Sequence, residues 1–79
     1  MGTPEEPQPP STVIGEAMSR LHWELRDLFI SSLQFGEIGT EAALRAHLAT
    51  GEGLTPMQLD VVVAALNDGL LIRGDPFRI

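Results

Sequence analysis

The run Leu54-Thr55-Pro56-Met57-Gln58-Leu59-Asp60-Val61-Val62-Val63-Ala64-Ala65-Leu66-Asn67-Asp68-Gly69 carries a helix start, body and stop without interruption. Thr55 can accept from the third helical N–H while Gln58 reaches back to the N–H of Thr55, and Pro56 falls at the first helical position, where its missing donor costs nothing. Leu54 and Leu59 stand where a hydrophobic staple needs them. At the far end Asn67-Asp68-Gly69 offers a glycine for a left-handed stop, so the helix is expected to close at Gly69. At helical spacing Leu59, Val62, Val63, Leu66 and Leu70 share the core face. Met57, Val61, Ala64 and Asp68 lie opposite, flanked by Gln58, Asp60 and Ala65, and no Lys or Arg occurs between Leu54 and Ile72.

Seventy-nine residues, 43% hydrophobic and 20% charged, describe one small globular domain whose core is only marginally stabilising alone. The first eleven residues, Met-Gly-Thr-Pro-Glu-Glu-Pro-Gln-Pro-Pro-Ser, are proline-rich and almost devoid of apolar side chains, so they read as a disordered tail before a domain over 12–79. With no cysteine there is neither a disulfide framework nor a thiolate metal site, which fits a reducing compartment. No signal peptide or bilayer-spanning run is read, and the expectation is a cytoplasmic protein without membrane attachment.

Upstream, Ser11 or Thr12 is expected to cap one long helix reaching Leu33 or Phe35, because Ile14, Ala17, Met18, Leu21, Leu25, Leu28, Phe29 and Ser32 recur at three- and four-residue steps. Trp23 and Ile30, seven apart, then fall on one line of its outer side among Glu16, Ser19, Arg26 and Asp27. Gly36-Glu37-Ile38-Gly39 breaks the period and reads as a short extended segment. Thr40 opens a second helix, Glu41 to Ala49 or Thr50, with Leu44 and Leu48 inward and Gly51 as its stop. Beyond Gly69, Leu70–Arg73 and Phe77–Ile79 read as two strands joined by a tight turn at Gly74-Asp75-Pro76.

This order of long helix, short strand, two helices and a terminal hairpin, with a helix ending in Asn-Asp-Gly-Leu-Leu-Ile-Arg-Gly, resembles the winged helix-turn-helix family. The resemblance covers Thr12 to Ile79 and implies a mainly α, three-helix domain with a small β hairpin: residues 37–39 pairing with the wing, Thr40–Gly69 the helix-turn-helix, and Leu70–Ile79 the wing. It also implies an alternative function, a DNA-binding transcriptional regulator, whose contacts would come from Gln58, Asn67, Arg73 and Arg78. The wing turn is short and carries Asp75, and the would-be recognition face of Met57, Val61, Ala64 and Asp68 lacks the side chains that read base edges.

Eleven acidic residues against five arginines and no lysine give a net charge of −6, which opposes phosphate. His22 and His47 are single histidines on different elements, so no catalytic, metal or cofactor site is expected, nor a small-molecule substrate. The first reading is therefore a non-enzymatic protein–protein interaction module or adaptor. Its contact surface would be Trp23 with Ile30, or Met57, Val61 and Ala64, and its partner a second copy or a foreign protein.

Overall fold

The computed structural model describes residues 10–79, and the side chains from Thr12 onward. Four helices follow one another: α1 (Pro10–Leu21), α2 (Leu25–Leu33), α3 (Glu41–Thr50) and α4 (Pro56–Arg73). Of the disordered tail expected over residues 1–11, residues 1–9 lie outside the described residues, while Pro10 and Ser11 belong to α1, which begins ahead of the expected cap at Ser11 or Thr12.

The expected single helix, capped by Ser11 or Thr12 and reaching Leu33 or Phe35, is two helices, because the chain turns at His22. The His22 N–H donates to the Ser19 carbonyl at 3.2 Å and the Trp23 N–H to the Met18 carbonyl at 2.9 Å, the paired bonds of a Schellman stop. His22 sits at φ 58°, a left-handed position usually filled by glycine. Two residues later the chain restarts: the Glu24 N–H donates to Asp27 Oδ2 at 2.8 Å, and the Glu24 carbonyl accepts from Leu28 at 3.1 Å. The break serves packing. It turns Trp23 inward, to where its ring would lie 2.9 Å from a Cβ at Gly69, with Leu21 Cδ1 at 3.3 Å.

That contact also accounts for the second departure. Gly69 is not the end of α4 but its point of close approach to Trp23, and the helix runs another turn to Arg73. Its stop is Gly74, at φ 83°, whose N–H donates to the Leu71 carbonyl at 3.0 Å while Asp75 N–H reaches the Leu70 carbonyl at 2.9 Å. The start is as read from sequence: Gln58 N–H donates to Thr55 Oγ1 at 3.1 Å and Thr55 N–H to Gln58 Oε1 at 3.0 Å. Leu54 and Leu59 are both half-buried against the core.

The winged-helix arrangement and its β hairpin are therefore overturned: among the described residues there is no strand. Leu70–Arg73 belongs to α4, and residues 75–79 have no strand to pair with. The segment 37–39 is irregular and unpaired. Its Ile38 is fully buried, and the Gly39 N–H is taken by the Glu37 carboxylate. α3 keeps its expected bounds, with Thr40 Oγ1 accepting from Ala43 N–H at 3.1 Å and Gly51 at φ 83° closing it.

One core joins all four helices. Ile14, Ala17 and Leu21 of α1, Leu28 of α2, Leu44 of α3, and Val62, Leu66 and Leu70 of α4 surround Ile38. α4 packs on α1 and α2, and α3 on the same pair. α2 starts beside Gly69 through Trp23 and ends beside Val61 through Gly36, so it runs antiparallel to α4. Ala65, expected on the flank of the outer face, is buried, and Leu59 and Val63 are only half-buried.

Candidate interaction surface

Extending α4 to Arg73 lengthens its solvent side. Met57 is 78% exposed, Leu71 64% and Ile72 79%, while Ala64 and Asp68 between them are also exposed. Val61 is half-buried because the backbone of Gly36 lies on its flank; a Cβ there would fall 2.9 Å from Val61 Cγ2. Phe35, next to Gly36, is 48% exposed, and Ile30 and Leu33 of α2 are exposed to a similar degree. Apolar side chains thus follow the outer row of α4 and meet more at the end of α2. Over residues 27–44 and 54–72 there is no Lys or Arg, whereas Asp27, Glu37, Asp60 and Asp68 are all exposed.

The opposite character holds where the C-terminal segment returns. Arg20 Nη1 donates to Asp75 Oδ1 at 3.1 Å, its Nε to Glu16 Oε2 at 3.3 Å, and its guanidinium carbon lies 4.4 Å from the centre of the Phe77 ring. Asn67 takes both backbone groups of Ile79: Ile79 N–H donates to Asn67 Oδ1 at 2.9 Å, and Asn67 Nδ2 donates to the Ile79 carbonyl at 3.4 Å. The Phe77 N–H on Asp75 Oδ1 is the largest influence on the Asp75 carboxyl; desolvation, next in size, opposes it, and with the Arg20 guanidinium and the Arg73 charge the net effect holds the carboxyl below its ordinary range. This clasp is the ordered counterpart of the expected second wing strand.

The residues expected to act separate into three groups. Met57, Val61 and Ala64 do lie on one row of α4. Trp23 and Ile30 do not share a helical line, since the break at His22 sends Trp23 onto Gly69 and leaves Ile30 alone on α2. Of the four DNA contacts that the family resemblance implied, Gln58 completes the helix cap and Asn67 holds Ile79. Arg78 folds onto its own chain, donating to the Asp75 and Phe77 carbonyls at 2.6 Å, and Arg73 is exposed in the last turn of α4.

No family model, curated protein or solved structure matches the chain.

The sequence reading missed Leu71, Ile72, Leu33 and Phe35. In sequence Leu71 and Ile72 read as part of a strand, and Leu33 and Phe35 fall at the end of an over-long helix. The signal lay in Gly74-Asp75-Pro76, which stops a helix as well as it turns a hairpin. Among the described residues no pocket forms, no group of three or more His, Asp or Glu converges as a metal site, and no helix is long and apolar enough to cross a membrane. Inside, His47 is 4% exposed with neither ring nitrogen hydrogen-bonded, and Ser32 Oγ is likewise unpartnered.

Proposed function

We propose that the protein is a small non-enzymatic interaction module that works through protein contacts made by the outer face of α4 and the adjoining end of α2. The observation that carries this reading is the exposed apolar row of α4, with Met57 and Leu71 at its two ends. Such side chains gain roughly 25 cal/mol per Å² on leaving water and offer nothing to phosphate. Their acidic neighbours suit the polar rim of a protein interface and repel a polyanion. Engagement of Gln58 and Asn67 within the chain weighs against the regulator alternative, because both amides would have to abandon partners to read bases.

Photo-crosslinking amino acids placed singly at positions 57, 71 and 12 test this in cells that make the protein. Positions 57 and 71 are expected to give protease-sensitive adducts and Thr12, exposed on α1 outside the row, few or none. Nuclease-sensitive adducts from the row, or equal yields from all three positions, would overturn the reading.

A further inference from the structure

Along its outer side α4 presents Met57, Val61, Ala64, Asp68 and Leu71, alternating steps of four and three residues over nearly its whole length. That alternation is the spacing by which one helix seats along another with knobs in holes. The core residues Val62, Leu66 and Leu70 occupy the other side; within the seam Val61 is half-buried against Gly36, while Met57, Ala64, Asp68 and Leu71 stay exposed. Resting on the protein-contact reading above, we propose that the row docks one helix of a partner protein, and that this helix carries Lys or Arg where it meets Asp68.

Charge selects the occupant. Asp68 interrupts an otherwise apolar seam, Asp60 flanks it, and residues 54–72 contain no cation to neutralise either. A second copy is a poor match in both arrangements that overlap the whole row. Parallel pairing sets Asp68 against Asp68, and antiparallel pairing centred on Ala64 brings Asp68 of one chain to Asp60 of the other, four residues on either side of the centre. Each arrangement draws carboxylates together as water leaves, between chains that already carry −6 apiece. A basic residue opposite Asp68 instead forms a charge-assisted hydrogen bond and fixes the register, as a single polar seam residue does in coiled coils.

The probe is a synthetic helical peptide of about three heptads with Leu at the seam positions and Lys at the one matched to Asp68, beside versions with Gln or Glu there. Titrated into the isotope-labelled chain, the Lys peptide is expected to shift the amides of Met57, Val61, Ala64, Asp68 and Leu71. It should bind about tenfold or more tightly than the Glu peptide, with the preference reversed by Asp68→Lys. Asp68 is exposed, so that variant keeps the fold, which circular dichroism checks. A peptide ranking that Asp68→Lys leaves unchanged overturns the proposal. Equal binding of all three peptides at the row would retain a protein contact and discard the basic partner, whereas no response from the row would discard both. Amides of the row that shift with the concentration of the protein alone would assign the seam to a second copy.

Discussion

At His22 a non-glycine residue holds the left-handed position of a Schellman stop, φ 58°, where its Cβ is crowded and glycine is not. His22→Gly is therefore expected to raise stability by about 1 kcal/mol in urea unfolding. A loss would show that the imidazole makes a contact worth more than the strain. Gly69 presents the opposite balance. Alanine would gain up to about 1 kcal/mol of helix propensity, but its Cβ would stand 2.9 Å from the Trp23 ring, and forcing that ring away costs about 1 to 3 kcal/mol. Gly69→Ala should destabilise on balance and change the Trp23 fluorescence; a stabilised variant would mean that Trp23 does not pack there. His47 is buried with two unpartnered nitrogens, so His47→Leu, which removes unsatisfied polar atoms at similar volume, is expected to be neutral or stabilising by about 1 to 2 kcal/mol. A large loss would place an unseen partner on the ring. These residues also mark what the sequence concealed. A glycine next to apolar residues reads as a stop, and a histidine inside an unbroken apolar period reads as helix. Only the mutual fit of Trp23 and Gly69 inverts the two.

Where side chain and backbone settle the matter locally, the elements were legible. Thr55 with Gln58, and Thr40 with Gly51, bound α4 and α3 within the chain's own nearest neighbours, and three- and four-residue steps assigned Ile14, Leu28, Leu44, Val62, Leu66 and Leu70 to the core. Thr55→Ala is expected to cost about 1 kcal/mol by thermal unfolding, since it strands one helical N–H and the reciprocal bond from Gln58. Wild-type stability would move the helix start elsewhere. The C-terminal segment was not legible, because Leu70–Ile72 satisfies a buried strand and the last turn of a helix equally. What decides between them is long-range: Leu70 enters the core beneath α1 and α2, and Asn67 supplies Ile79 with the hydrogen bonds a strand partner would have given. The clasp also titrates. Asp75 is held below the ordinary aspartate value of 3.8, so its contribution is complete above that value and lost as pH falls through the lower, folded one. The Phe77 ring resonances should keep their packed shifts from neutral pH to about 4 and move only below it, and Asp75→Asn should remove that transition. Release of Phe77 at pH 5 to 6 would contradict the assignment.

For the molecule as a whole, the described residues set three short helices and the longer α4 around one small core, the outer side of α4 is largely exposed, and a net charge of −6 shapes what can approach it. The proposed contact surface is half legible in the sequence: Met57, Val61 and Ala64 follow from the helical period, but Leu71 joins them only because α4 continues past Gly69. That continuation separates this fold from a winged helix and gives the seam its length, and it is tested by the backbone chemical shifts of Leu70–Arg73 together with nuclear Overhauser contacts from the Trp23 ring. Helical shifts through Arg73, with contacts between the Trp23 ring and Gly69, are the predicted result; extended shifts, with cross-strand contacts between Leu71 or Ile72 and Phe77 or Arg78, would contradict the account.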